Sequence, residues 1–389
     1  MSGRPLLVVV QNKPTQFDGP LYRLIRREAP FDLHVCFTEA ESQASGAVDL
    51  EIGRAPSWDH LVDDAGSGEW ISYVPGVAAR ALAQQIAAKH PQLTILCGYF
   101  PSVHLRLALE LKAKRLRIGL RSDNTLRHSS FAGVKGVIKR LVLPRLLGSY
   151  DSWHPVGTLA RQYLEKVSSR VRPSFLFPYN VDNAWFEQRA EGFRKEGTRE
   201  RAAMGFGSGD FVVLGVLKWN DREDPLTLVD GFLRFARTRP QAKLILVGDG
   251  PLREEIRVRL EGATDRVHLP GYVSYSELPR YYAVADVFVH PAPGEPWGCS
   301  VNEAMACGVP VIAAEGVGAG ADLIVDGETG YVFPDRHAEL LAGRLVQVCE
   351  DGERRMGRAA SVKISEWSYQ QTVSEMLRAL SIPSTRGSR

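Results

Sequence analysis

The sequence predicts an α/β protein built from two doubly wound halves. Three observations carry that expectation. Short continuous apolar runs, such as Leu6–Val10 and Phe211–Leu217, alternate with stretches of helical length, as parallel strands covered on both faces should. The alternation stops around Tyr179-Asn180-Val181-Asp182-Asn183, gives way to a polar, charged stretch up to Gly209, and then restarts. A chain of 389 residues is also too long for one ordinary domain. The expected boundary divides residues 1–180 from 181–365, with a helix at about 366–381 that can pack back on the first half.

Taken in order, strand Leu6–Val10 leads through the loop Asn12–Pro20 into a helix around Leu21–Ile25, then strand Asp32–Phe37, a β–α–β beginning. Residues 40–72 are rich in Gly, Ala, Ser and Asp and read as loop with short elements. Helix Val77–Lys89, strand Leu93–Gly98, helix Leu105–Arg115 and strand Arg117–Arg121 follow. After the basic stretch Val134–Leu147 and helix Leu159–Lys166, strand Ser174–Pro178 is expected to close the half. The second half continues with helix Pro225–Arg237, strand Lys243–Val247, helix Leu252–Leu260, strand Val267–Leu269 and helix Tyr275–Tyr282. Residues 381–389 read as a frayed end.

Composition narrows the class. A net charge of +3 gives no reason to expect a nucleic-acid partner. Five scattered cysteines with no Cys-x-x-Cys suggest neither a disulfide framework nor a zinc site. The first apolar run is too short for a signal peptide, and none reaches the ~18 residues of a membrane span. The simplest expectation is a cytoplasmic protein, soluble or attached peripherally at the inner face of a membrane.

The chain is organised around residues 285–314. The apolar run Ala285–His290 ends at Pro291, a loop carries Gly294 and Gly298, a helix covers Val301–Cys307, Gly308 ends it, and Val309–Ala314 is the next strand. Such a β–loop–α–β unit delivers backbone N–H groups and carboxylates to the carboxyl edge of a parallel sheet, where ligands bind and a helix N-terminus favours phosphate. Glu295 on the loop and Glu303 on the helix stand eight positions apart, with the N–H groups of Trp297, Gly298, Cys299 and Ser300 between them. Two jobs fit: one carboxylate accepts from sugar or ribose hydroxyls while the N–H groups hold phosphate, or the two form a glycoside-hydrolysing pair.

Gly294 to Pro310 resembles the Glu-x7-Glu motif of glycosyltransferase family 4, read there roughly as E-P-[FW]-G-x-x-x-x-E-A-M-A-x-G-x-P-V. Leu244–Pro251, Leu269-Pro270-Gly271-Tyr272-Val273 and Gly327–Pro334 are similar to other segments of the same family, and Asn180-Val181-Asp182 to its interdomain turn. The resemblance covers about residues 175–350 and extends to the first half only in layout. It implies a GT-B fold, two facing Rossmann-like domains with the active site in the cleft. It also implies transfer of a sugar from a nucleoside diphosphate donor to a hydroxyl acceptor, with retention of configuration and without a bound metal or other cofactor. Glu303 would bind the ribose hydroxyls and Glu295 the transferred sugar, while the N–H groups of residues 297–300 would meet the diphosphate or the sugar. Gly248 and Tyr272 would line the nucleotide pocket.

Without a metal, protein cations must stabilise the leaving diphosphate. The family places an Arg or Lys just after the second domain's first strand and a Lys about five residues on. Lys218 fits the first position; at the second this chain has Glu223, with Arg222 beside it. Either Arg222 takes the role in a shifted register or the cation pair is weakened. In the first half, Asp18 and Gly19 stand on the loop expected at the acceptor side, where the family often has a glycine pair. Asp123, after another strand, fits a base or an orienter of the acceptor hydroxyl, and equally a helix cap or Asx-turn. His154 reads as structural. The helix with Lys135, Lys139, Arg140 and Arg145 against Val137, Ile138, Leu141, Val142 and Leu146 has two open readings: a domain helix with its apolar side in the core, or a helix resting on anionic membrane. Beside the transferase stand two alternatives, a nucleotide-sugar epimerase of the same fold and a non-catalytic nucleotide-sugar binder.

Overall fold

The computed structural model describes residues 3–39, 70–99, 102–127, 133–351 and 355–382. The side chain of Lys135, the stretch 40–69 and the tail from residue 383 lie outside the described residues. The chain divides into two compact units: one runs up to Asn180 and includes the chain from Tyr369 onward, the other comprises Val181–Ser368.

In the first unit the order is β1 (Leu6–Gln11), α1 (Asp18–Glu28), β2 (Asp32–Phe37), β3 (Ile71–Tyr73), α2 (Ala79–Ala88), β4 (Leu93–Cys97), α3 (Ser102–Ala113), β5 (Ile118–Ser122), α4 (Gly133–Ser149), β6 (Ser152–Pro155) and α5 (Thr158–Val167). All six strands are parallel, in the order β3-β2-β1-β4-β5-β6. Alternation along β1 sends Val8 and Val10 into the core on one face, with Leu96 and Leu120, and Leu7 and Val9 into the other, with Leu33, Val35 and Ile95. A strand apolar at every position is what two covered faces require.

The second unit contains α6 (Asn183–Lys195), α7 (Gly197–Ala203), β7 (Phe211–Val216), α8 (Pro225–Thr238), β8 (Ala242–Val247), α9 (Arg253–Leu260), β9 (Val267–Gly271), α10 (Leu278–Val284), β10 (Val287–His290), α11 (Cys299–Ala306), β11 (Val311–Ala314), α12 (Gly320–Leu323), β12 (Gly330–Phe333), α13 (Ala338–Cys349) and α14 (Arg355–Ser365). Its parallel sheet has the order β12-β11-β10-β7-β8-β9. The reversal on either side of β7 leaves the carboxyl ends of β7 and β10 side by side, the switch point at which open sheets take ligands. The last helix, α15 (Tyr369–Ser381), belongs to the first unit. Met376, Ala379 and Leu380 enter that unit's core, and its last carbonyls accept from Gln92 Nε2 and Arg117.

Three expectations are corrected. The sixth strand of the first unit is Ser152–Pro155, not Ser174–Pro178. Phe175 and Phe177 still donate to Trp153 O and Pro155 O, but Pro173 and Pro178 have no N–H to continue a ladder. The polar stretch after Asn183, where the alternation was expected to stop, is helical: Asp182 caps α6 by accepting from Trp185 N, and the helix buries Phe186 and Ala190. The tail helix expected at about 366–381 starts only at Tyr369, after a turn at Glu366-Trp367-Ser368.

Candidate active site

The site in the second unit is built where β10 ends. Gly298, at φ +93°, turns the chain into α11, and a Cβ there would stand 3.0 Å from Val317 Cγ1 and 3.1 Å from the His290 ring. No side chain caps α11, and a helix N-terminus without a cap favours an anion. The loop before it is held from behind by the glycine-rich segment 316–320. Gly318 N donates to Glu295 O (2.9 Å) and Ala319 N to Trp297 O (2.8 Å). A Cβ on Gly316 would fall 2.0 Å from Pro293 O, and one on Gly318 1.9 Å from Pro296 O. Gly316 and Gly318 were not among the sequence candidates. Their signal was a run of small residues after β11, which reads as an ordinary turn until the facing loop is known.

Trp297 turns its indole into the interior, donating to Asn302 Oδ1 (3.0 Å) and packing against Trp367 with ring centroids 5.3 Å apart. Only its backbone is thus available to a ligand. Cys299 and Ser300 open α11, both half-buried.

The two acids are unequal. Glu295, 19% exposed, is ion-paired at 2.7 Å with the largely exposed Arg222. Glu303 is buried and accepts from Tyr282 Oη at 2.8 Å. Burial pushes the Glu303 carboxyl up to about 8, while the Tyr282 hydroxyl pulls the other way. Between the usual 4.5 and about 8 the native chain therefore holds a proton that the unfolded chain has lost, and stability falls as pH rises through that window. Glu303→Gln keeps an acceptor for Tyr282 but cannot ionise. Its melting temperature relative to wild type is expected to climb between about pH 5 and pH 8. A constant difference across that range would show that Glu303 carries no such proton.

The cations come from the turn after β7. Lys218 is exposed and pairs with no described residue. Asp224 ends the turn at φ +52°, in the left-handed region that a residue before proline rarely occupies. It is held there by capping α8, accepting from Thr227 N and, at 2.7 Å, from Thr227 Oγ1. That strained cap fixes the turn presenting Arg222 and Glu223. Burial, and after it the Glu295 carboxylate, push Glu223 above the ordinary range, while Arg222 and Lys218 pull it down. The position where a lysine was expected thus holds an acid, and Arg222 offsets the repulsion between Glu223 and Glu295.

Gly248 and Gly250 are explained by packing against this turn. A Cβ on Gly248 would lie 1.9 Å from Leu217 O, and one on Gly250 2.4 Å from Trp219 O. Gly248 N donates to Gly271 O at 2.8 Å, with half-buried Tyr272 next in the chain. His290, which sequence reasoning treated only as a strand end, lies beneath the loop. Its ring is buried, burial lowers it to about 4, and Nδ1 has no partner among the described residues. A neutral imidazole therefore lies under Gly298.

In the first unit the candidates are engaged within the unit. Asp18, 1% exposed, pairs with Arg121 Nη1 at 2.8 Å and accepts from Gln11 Nε2 and Thr15 Oγ1. Gly19 is buried in the first turn of α1, its N–H donating to Thr15 O. The carboxylate expected on the acceptor side is here the counter-ion of a buried arginine. Asp123, half-buried, accepts from Tyr179 Oη at 3.1 Å. His154 is buried beside Ser152 Oγ, and burial lowers it to about 3. Among the described residues no three His, Cys, Asp or Glu side chains gather as a metal site would need.

Two Rossmann-like domains, the second carrying an acid on either side of an uncapped helix N-terminus, define the GT-B class of folds. Residues 198–362 match the family model described as Glycosyl transferases group 1. It is 30% identical over 186 residues to the GDP-mannose-dependent monoacylated alpha-(1-6)-phosphatidylinositol monomannoside mannosyltransferase of Corynebacterium glutamicum, covering 45% of this chain and 48% of that protein. It is 31% identical over 142 residues to a sulfoquinovosyl transferase of Arabidopsis thaliana, covering 35% and 27%. The chain thus spans about half or less of the length of these relatives. Among solved structures, Anabaena HepE in complex with UDP superposes with a TM-score of 0.72 at 18% identity, covering 97% of this chain and 99% of the other. A glycosyltransferase from Rickettsia africae gives a TM-score of 0.72 at 13% identity, covering 99% and 100%.

Proposed function

We propose that the protein is a retaining glycosyltransferase moving a sugar from a nucleoside diphosphate donor to a hydroxyl acceptor, in the synthesis of a cell-surface glycan, glycolipid or natural product. The observation that carries this reading is the Arg222–Glu295 pair beside the uncapped end of α11. A diphosphate draws Arg222 off Glu295, which frees the carboxylate for hydroxyls of the sugar. Backbone N–H groups at Cys299 and Ser300 take phosphate oxygens, and Glu303, held as a neutral acid, faces the ribose hydroxyls. As the anomeric C–O bond breaks, its electron pair stays on the phosphate, and Lys218 and Arg222 stabilise that growing charge without a resident metal. The acceptor hydroxyl oxygen forms the new bond on the same face, and its proton passes to the departing phosphate oxygen. Relatives named for mannosyl and sulfoquinovosyl transfer support the reaction class, and the complexes of HepE with UDP and UDP-glucose support the donor class.

A thermal-shift screen against UDP-, GDP-, ADP- and dTDP-sugars is expected to single out one base, because a ligand bound only to the native state raises its stability. Lys218→Ala should then weaken binding of the matching nucleoside diphosphate roughly tenfold, the worth of one charge-assisted contact. Unchanged affinity removes Lys218 from the site. A donor that stabilises the protein but is never turned over favours the non-catalytic binder. Conversion of the donor to a different nucleotide sugar without acceptor favours the epimerase.

A further inference from the structure

The helix α4 is apolar on two opposite faces, and only one of them is used inside the unit. Leu143 and Leu147 are buried in the core, and Leu146 packs against it. On the other side Val137, Ile138, Leu141 and Val142 are 55, 56, 61 and 51% exposed. At ~100° per residue these four cover an arc of about 140°, centred opposite the buried leucines. This corrects the reading that placed them in the core: the docking face is made by Leu143 and Leu147, and the Val-Ile-Leu-Val face is left to solvent. A cluster of large exposed apolar side chains on one helix face marks an interaction surface.

The charges that α4 itself carries are all of one sign. Lys139 and Arg140 flank the arc on either side, Arg145 stands near its centre one turn further on, and the helix contains no acid. Arg145 also lines a hollow of about 740 Å³ at the carboxyl end of the helix, with Lys112, Ser149, Arg170 and Arg172. Lys112 is neutralised by Asp151 at 3.1 Å. Arg145 and Arg172 spend their guanidinium bonds on the carbonyls of Leu141 and Gly148, and among the described residues neither they nor Arg170 has a carboxylate partner. An apolar strip at one end and a cationic hollow at the other is the arrangement that seats acyl chains and anionic headgroups together.

We infer that α4 and the hollow beside it dock the protein on an anionic phospholipid surface, with Val137, Ile138, Leu141 and Val142 entering the headgroup–acyl boundary and Arg145, Arg170 and Arg172 meeting phosphates. Docking is independent of the donor reading, since vesicle binding needs neither donor nor acceptor. The test is co-sedimentation of the full chain with vesicles of phosphatidylcholine alone and with about one-third phosphatidylglycerol, at about 0.1 M and 0.5 M NaCl. Binding is expected only to the anionic vesicles and only at the lower salt. The double variant Ile138→Glu, Leu141→Glu is expected to lose about tenfold or more of that binding. Arg145→Ala with Arg170→Ala should weaken it as well, and both variants should keep the wild-type melting temperature and nucleotide-induced thermal shift. No wild-type binding, equal binding to both vesicles, or wild-type binding by the Glu variant overturns the inference. So does a wild-type dimer in sedimentation velocity that the Glu variant converts to monomer, because the surface would then be covered by a second copy.

Discussion

Glu295→Gln is expected to lower turnover of the donor selected by the thermal-shift screen by about 10²-fold or more while leaving nucleoside diphosphate affinity within a few fold. The magnitude is that of removing one preorganised group that acts where charge develops. The split between turnover and affinity follows from geometry. Glu295 does not lie on α11, whose first N–H groups are proposed to take phosphate, and Glu303 stands about one turn along that helix with its own partner, Tyr282. The substitution also frees Arg222 from its 2.7 Å pair, so affinity for the free diphosphate should stay level or rise. Near-normal turnover in the variant would falsify the assignment of Glu295 to the transferred sugar. A large loss of diphosphate affinity would instead make the carboxylate part of the nucleotide pocket.

The second large effect is on stability and lies in the first unit. Arg121 is 3% exposed, pairs with Asp18, donates to Phe177 O and Pro178 O, and lies with its guanidinium carbon 3.8 Å from the Phe177 ring centroid. It ties the ends of β1 and β5 to the segment that leads out of the unit. Arg121→Met leaves Asp18 a buried charge with only Gln11 and Thr15 as partners, and should cost about 3–5 kcal/mol. Adding Asp18→Asn removes that charge and should recover part of the loss, because a buried pair replaced as a whole costs less than a pair broken. Urea denaturation of the two variants checks this. Equal losses in both would mean that Arg121 acts through its backbone bonds and ring contacts rather than as a counter-ion.

The carboxyl end of β10 shows how differently the parts of the site could be read from the chain. The places of Glu295, Gly298 and Glu303 on loop, turn and helix were legible because their spacing is local, all three within nine residues. Lys218 and Arg222 were legible as candidates, but not their partners, because the acid that meets Arg222 lies 73 positions away. His290 was missed because an apolar run ending in His before Pro291 reads as strand, and only packing shows an imidazole buried under Gly298. Asp18 was misjudged for the same reason: its counter-ion is 103 positions distant.

By itself the sequence determined the two parallel sheets, the near position of the boundary and the acidic pair around a helix N-terminus, because strand and helix periods and turn residues act over a few positions. Tertiary structure alone decided which side chains satisfy one another. It turned Trp297 inward, buried Glu303 against Tyr282, set Gly316 and Gly318 against the loop, and started the tail helix only at Tyr369. It also decided which of two apolar faces of α4 enters the core. Hydrophobic burial has no direction of its own, so a helix that is apolar on both sides is sorted only by the surface it meets.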